Sequence, residues 1–187
     1  MSKATHQLKQ SVEIVDYDPR WREIFAAERE VLLDRAGRYF VAFEHIGSTA
    51  IPGQRAKPVI DMMAAVRQLD ALDTFLPELE TLGYHLFETG MRDRYFLRKQ
   101  DTSSGQTFHL HIVEVSSWDE RNEHLMRDYL LEHPKEVEAY GELKNNLAQT
   151  YSEDSVTYTE AKTEFMQGIV DKARDRLGLP RVDVWED

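Results

Sequence analysis

The chain contains no cysteine among its 187 residues. Without thiols it has no disulfide, no thiolate metal ligand and no cysteine nucleophile. It also lacks any apolar run approaching the roughly 20 residues that span a bilayer. Residues 1–11 are polar and have no apolar core of the kind found in signal peptides. We therefore expect a flexible N-terminus over 1–11 in a cytoplasmic protein that does not act at membranes.

Several motifs that identify large enzyme classes are also missing. The sequence has no P-loop, no GxGxxG, no HExxH and no GxSxG nucleophile elbow. These absences argue against a P-loop kinase, a Rossmann dehydrogenase, a zincin and an α/β-hydrolase.

Positive charge is scarce, because 23 lysines and arginines face 34 aspartates and glutamates, for a net charge of −11. A chain this acidic does not bind nucleic acid through bulk charge. The distribution is uneven, however. Residues 89–100 carry four basic residues and one acid, whereas residues 117–160 carry far more acids than bases. A local cationic segment on an acidic body favours a small anionic ligand over a polymer.

Hydrophobic periodicity and turn residues predict five strands and five helices. Helices are predicted at 19–36, 70–82, 118–132, 134–150 and 157–177, and strands at 39–46, 59–66, 84–88, 93–99 and 108–115. This order predicts an α+β fold: a mixed sheet of about five strands, with an N-terminal helix and a C-terminal three-helix half. We expect a single domain over 12–187, with an α/β part at 12–116 and a helical part at 117–178.

The segment EHIGSTAIPGQRAKPVID, residues 44–61, joins two strands through a glycine-containing turn. Gly47 permits close backbone approach and Ser48 adds a hydroxyl beside exposed N–H groups, so this corner can hold phosphate oxygens. Lys57 would add a point charge. Asp61 lies inside an apolar run, where an ionised carboxylate needs a cationic partner. That partner is a divalent metal, Lys57 or an arginine; the alternative is a structural salt bridge.

Two histidines share one face of the predicted strand FHLHIVEV at 108–115. His109 and His111 stand at i and i+2, and side chains alternate between the faces of a strand. Such a pair can chelate one metal, grip a phosphate or supply a general base near neutral pH. If this strand lies beside the strand of Asp61, a His-His-Asp cluster results. The alternative is two hydrogen-bonded strand histidines without further function.

Arg94 and Arg98 alternate with other residues in RYFLRK at 94–99 and are expected to point the same way. That arrangement suits contact with an anionic ligand. A solvated sheet edge, protected by charge against pairing with another chain, is the alternative. Among the other histidines, His45 is retained as a candidate because it lies beside Gly47 and Ser48.

The motifs above resemble those of the GrpB family of bacterial glutamate-rich proteins, over about residues 12–175. The matching segments are VEIVDYDPRW at 12–21, EHIGSTAIPGQRAKPVID at 44–61, RYFLRK at 94–99, FHLHIVE at 108–114, LMRDYLLEHP at 125–134, YGELK at 140–144 and YTEAKTEF at 158–165.

The resemblance implies a nucleotidyltransferase-like fold. That superfamily places Gly-Ser at the end of one strand and an Asp-x-Asp pair on the next, and Gly47, Ser48 and Asp61 match the first three of these positions. Met63 stands where the second acid belongs. Two-metal catalysis requires carboxylates that hold both ions. Either the two strand histidines complete a different metal site, or catalysis is lost.

The resemblance therefore implies a metal-dependent nucleotidyltransferase that acts on a nucleotide or another phosphorylated small molecule. In this hypothesis Asp61, His109 and His111 are both catalytic residues and ligands of Mg, Mn or Zn. Phosphate would be bound by Gly47, Ser48, Lys57, Arg94 and Arg98.

A non-catalytic nucleotide-binding or accessory module on the same fold is the main alternative, and a metal-dependent hydrolase is the second. Members of the family also resemble a domain fused to some bacterial dephospho-coenzyme A kinases, which adds a protein partner to the expectations. The residues leave open whether the chain is an enzyme, and they do not predict an oligomeric state.

Overall fold

A computed structural model describes residues 12–184, so the predicted flexible segment 1–11 lies outside the described residues. The helices are α1 (Arg20–Ala36), α2 (Leu72–Thr81), α3 (Asn122–Glu132), α4 (Pro134–Thr150), α5 (Ser155–Glu160) and α6 (Thr163–Leu177). The strands are β1 (Ala42–Ile46), β2 (Val59–Val66), β3 (His85–Phe87), β4 (Arg94–Gln100) and β5 (Thr107–Glu114).

The five strands form one mixed sheet in the order β1-β2-β5-β4-β3. Strand β2 pairs in parallel with β5 and antiparallel with β1, while β4 pairs antiparallel with both β5 and β3. The predicted α+β fold with a five-stranded mixed sheet is confirmed. The bounds of β2 match the predicted strand 59–66, because a nearly continuous apolar run suits a strand that is covered on both faces.

The two faces of the sheet have different roles. On one face, Ile60 and Met62 of β2 and Leu110 and Ile112 of β5 pack into the main apolar core with residues of α1 and α2. Alternation places the intervening residues of both strands on the opposite face, toward the C-terminal helices. The apolar face anchors the sheet, and the other face is free to carry polar side chains.

The C-terminal half contains four helices within the described residues, whereas the sequence predicted three. The predicted helix 157–177 is divided into α5 and α6, with Lys162 immediately before α6. Val156, Thr157, Thr159 and Thr163 crowd this region with β-branched side chains, which weaken a continuous helix. The division of the chain into parts 12–116 and 117–178 stays a prediction.

Within residues 12–184, no helix combines the length and the apolar character needed to cross a membrane. The cytoplasmic location stays an expectation.

Candidate functional site

A cavity of about 700 Å³ lies between the polar face of the sheet and the C-terminal helices. The sheet contributes Asp61, His109 and His111 to its wall, and the turn after β1 contributes Gly47 and Ser48. The helical half contributes, among others, Glu123, Met126, Tyr140, Lys162 and Met166. Volumes of this size are typical of small-molecule sites.

Gly47 brings the turn directly against Asp61. Its φ of 68° and ψ of −171° belong to a backbone region that is essentially restricted to glycine. A Cβ added at Gly47 would lie 2.6 Å from Oδ2 of Asp61. The predicted close approach at Gly47 therefore exists, and it is an approach to the carboxylate on the neighbouring strand.

Asp61 and the two histidines lie on the same sheet face, as the strand pairing requires. Asp61 stands opposite His109 in the β2–β5 register, and Nδ1 of His109 donates to Oδ1 of Asp61 over 3.0 Å. Burial alone would raise the pKa of Asp61, but this hydrogen bond and the nearby imidazoles lower it. Burial lowers the pKa of His111 to about 4, so this imidazole is neutral at pH 7.

The described residues include no group of three histidine, aspartate or glutamate side chains placed to hold a metal ion. Asp61 and His109 are hydrogen-bonded to each other in this structure, and the Mg, Mn or Zn site at Asp61, His109 and His111 stays a prediction. Met63, at the position of the missing second acid, is fully buried against Ile46 and Val113. These residues do not fit a two-metal carboxylate site.

Three lysines lie near Asp61, and we call this cluster the lysine end (Lys57, Lys144 and Lys162). Lys162 lines the cavity, and Lys144 bonds to Ser48, which also lines it. Nζ of Lys144 donates to Oγ of Ser48 over 3.0 Å and lies 4.4 Å from the centre of the Tyr140 ring. Nζ of Lys57 and of Lys162 lie 4.7 Å and 4.6 Å from the centre of the Tyr158 ring.

Among residues 12–184, none of these three lysines has a carboxylate within 4.0 Å. Burial lowers the pKa of each, and Asp61 raises it by a smaller amount. The pKa of Lys162 falls to about 8, with Lys57 adding repulsion. The pKa of Lys144 falls well below 10.5, with Lys162 adding repulsion. An anion bound among these amino groups would raise their pKa values and favour their charged forms.

The two arginines predicted to contact an anion, Arg94 and Arg98, differ in their relation to the cavity. Arg94 lines the cavity, but it is paired with Glu123 and with Asp93, whose Oδ1 accepts from Nε over 3.0 Å. Arg121 also pairs with Asp93. We call these four residues the arginine end. Arg98 stands opposite His109 on β4 but does not line the cavity, and its contact with an anion stays a prediction.

His45, retained as a candidate from its sequence position, points away from the cavity. Its ring stacks on Phe25 with centroids 4.6 Å apart, and its Nε2 makes a 2.9 Å hydrogen bond with Oγ1 of Thr49. Alternation along β1 explains this placement, because its neighbour Ile46 takes the opposite face.

Lys144 and Lys162 are not among the site residues predicted from the sequence. The sequence nevertheless holds a signal for them. The pattern Tyr-x-Glu-x-Lys occurs twice, at 140–144 and at 158–162. In a helix this spacing places the lysine over the tyrosine ring one turn away, and both pairs have that geometry here.

The fold is that of the nucleotidyltransferases. Terminal uridylyl transferase 4 from Trypanosoma brucei, solved with bound UTP, superimposes with a TM-score of 0.53 over 90% of this chain and 54% of that chain. At 17% sequence identity, this similarity shows the fold alone.

A family model described as GrpB protein matches residues 11–172, and the chain belongs to the GrpB family. A crystal structure of the conserved protein GrpB from Enterococcus faecalis matches with a TM-score of 0.80 and 30% identity, over 89% of this chain and 99% of that one. The glutamate-rich protein GrpB of Alkalihalophilus pseudofirmus is 33% identical over 169 residues, 88% of this chain and 97% of that protein. The predicted family is confirmed.

Two further relatives are longer than the matched region. The UPF0157 protein YqkA of Bacillus subtilis is 34% identical over 167 residues, and the match covers 89% of this chain but 48% of that protein. A dephospho-CoA kinase of Mycolicibacterium paratuberculosis is 29% identical over 126 residues, 63% of this chain and 29% of that protein.

Proposed function

We propose that the chain binds a nucleotide in this cavity and holds its phosphate groups at the lysine end. The observation that supports this function best is the convergence of Lys57, Lys144 and Lys162 without a carboxylate partner among the described residues. A buried, unpaired charge costs free energy, and a cluster of three costs more. A polyphosphate would offset that cost by neutralising all three.

The remainder of the cavity suits the nucleoside part of such a ligand. Phe96, Met126 and Met166 line it with apolar surface, and Ser48 and Gly47 lie at the lysine end. Small-molecule sites commonly combine apolar walls with a few polar anchors. The T. brucei enzyme of the same fold is solved with bound UTP, which supports a nucleotide over other phosphorylated molecules.

Titration calorimetry with ATP and UTP in EDTA tests the proposal. The wild type is expected to bind, and Lys162→Met is expected to weaken binding at least about tenfold, since it removes one charge-assisted contact to phosphate. Lys135→Met is the matched control, because Lys135 is an exposed lysine on α4. Equal affinities for the two variants, or no binding to the wild type, would exclude the lysine end as the phosphate site.

Nucleotidyl transfer is a second candidate, and Asp61 favours it. This carboxylate has a lowered pKa and stands against Gly47, one strand from the Gly-Ser turn, with His109 donating to it. The buried Met63 argues against the two-metal form of that reaction. If the protein does not transfer nucleotidyl groups, it acts as an accessory module that binds a nucleotide without turning it over.

Product analysis separates these functions. The protein is incubated with nucleoside triphosphates in EDTA and with Mg, Mn or Zn, and pyrophosphate and phosphate are measured. Pyrophosphate that disappears in Asp61→Asn supports transfer, and phosphate release supports the hydrolase. Binding without either product supports the accessory module.

A further inference from the structure

Two buried polar atoms of residues that line the cavity have no hydrogen-bond partner among the described residues. They are Oε2 of Glu123, in the first turn of α3, and Nδ1 of His111 on β5. Both residues line the cavity, and the two side chains interact electrostatically. Buried polar groups in proteins nearly always have partners, so two orphans on one cavity wall indicate a ligand that supplies them.

The charge state of Glu123 determines what that ligand must offer. Burial would raise the pKa of Glu123, but Arg94 and His111 lower it, so the side chain is a carboxylate and accepts hydrogen bonds only. Arg94 donates to Oε1. Asp93 takes further contacts from Arg94 and Arg121, so the two guanidinium groups are balanced by two carboxylates. Oε2 of Glu123 therefore lacks a hydrogen-bond donor, although the charge of the carboxylate is already neutralised.

The orphaned atoms belong to β5 and α3, whereas the lysine end is formed by the connection between β1 and β2, by α4 and by the residue before α6. The lysines interact with Asp61, whereas Glu123 interacts with Arg94 and His111. Phe96 stands opposite His111 on β4, and its ring centre is 5.0 Å from those of both His109 and His111. A nucleotide whose phosphates lie at the lysine end would extend its base toward Phe96 and Glu123.

We propose that Glu123, assisted by His111, selects nucleotides whose base carries an exocyclic amino group. An amino N–H of cytosine, adenine or guanine satisfies the free carboxylate oxygen, as a glutamate does with the cytosine amino group in nucleic-acid recognition. Uracil places a carbonyl oxygen at the corresponding position, which would face the carboxylate. Because leaving a buried carboxylate oxygen unpaired is costly, the discrimination is large. This inference rests on the proposed nucleotide binding.

Calorimetry with CTP, UTP and base-free tripolyphosphate tests the inference. The wild type is expected to bind CTP at least about tenfold more tightly than UTP, and Glu123→Gln to reduce that ratio toward one, because an amide can donate to the uracil carbonyl. Glu142→Gln is the matched control, since Glu142 is an exposed carboxylate on α4 outside the cavity. It is expected to keep the wild-type ratio.

The same titrations separate the two proposals. If tripolyphosphate and all nucleotides fail to bind, the proposed function is wrong. If tripolyphosphate binds but the wild type treats CTP and UTP alike, the lysine end stands and base selection by Glu123 is overturned. An unchanged CTP to UTP ratio in Glu123→Gln also overturns it. Binding of tripolyphosphate by Glu123→Gln shows that this variant is folded. If the variant is unfolded, the ratio of CTP to UTP affinity in the wild type alone decides whether the base is selected.

Discussion

The two cationic clusters of the cavity have opposite electrostatic organisation. At the arginine end, Arg94 and Arg121 share Asp93, and Arg94 also pairs with Glu123. At the lysine end, three lysine amino groups contact tyrosine rings and a serine hydroxyl, with no carboxylate within 4.0 Å among the described residues. Charges already paired within the protein stabilise its fold, whereas unpaired buried charges are available to a ligand.

This difference reverses the ranking that the sequence suggests. Residues 89–100 are locally cationic and residues 117–160 are acidic. Yet the acidic half supplies Lys144 to the lysine end, and the cationic segment contributes Arg94, which is paired with Glu123 from that acidic half. Availability of a charge depends on its neighbours in space more than on the net charge of its segment.

The largest expected effect is at the arginine end. Arg94→Met leaves Asp93 and Glu123 without one of their cations in a site where the Arg94 side chain is 10% exposed. Removing one partner of such a buried network costs about 3 kcal/mol. Urea unfolding measures the loss, and Arg92→Met, at an exposed position, is the control. A decrease of less than about 1 kcal/mol in the free energy of unfolding would mean that these ion pairs behave as surface salt bridges and contribute little to stability.

Next in size is Gly47→Ala at the turn between β1 and β2. The added Cβ would meet Asp61 and would force a glycine-only backbone region on alanine, so we expect a loss of about 2 kcal/mol or more. Gly53→Ala shares the positive φ, but its Cβ would meet no atom within 4 Å. The difference between the two unfolding free energies measures what Gly47 adds beyond a positive φ, namely its backbone region and the contact with Asp61, and equal losses would show that both are unimportant.

Lys144→Met tests the difference between the lysine end and the arginine end, because it is expected to increase stability and to decrease affinity for ATP. Lys144 is 2% exposed and has no carboxylate partner among residues 12–184. Replacing it by an apolar residue of similar length is expected to stabilise the free protein by about 1 kcal/mol while weakening ATP binding at least about tenfold. Thermal unfolding and calorimetry measure the two effects. Destabilisation together with unchanged binding would assign Lys144 a purely structural role.

The smallest effect is a dependence of ATP binding on pH. Lys162 faces Lys57, Lys144 and Asp61, and its pKa in the free protein is about 8. A bound polyphosphate raises that pKa, so the contribution to affinity is complete below about pH 8 and is lost as pH rises through the pKa of the complex. The phosphate charge is constant in this range.

Calorimetry from about pH 7 to about pH 10, in buffers of different ionisation enthalpy, measures this linkage. We expect affinity to fall as pH rises above about 8, with uptake of protons on binding in that range. Proton release, or an affinity that does not change with pH, would contradict a lysine phosphate site.

The features that the sequence predicted correctly are those that depend on local patterns of residues. An apolar run defines β2, and alternation in FHLHIVEV places His109 and His111 on one face. The predicted partner of Asp61 was a metal, Lys57 or an arginine, and the structure supplies His109 from a strand 48 residues away. The pairing of Arg94 with Glu123 spans 29 residues. Such pairings depend on how the helices pack on the sheet, which no local pattern contains.

The location of the bound phosphates tests the central claim most directly. A crystal of the protein with adenosine 5′-(3-thiotriphosphate) would show the terminal phosphate through the anomalous signal of its sulfur. The account predicts that peak beside Lys144 and Lys162, with Ser48 in contact with the phosphate chain. A peak beside Arg94 or Arg98, with the lysine end unliganded, would contradict it.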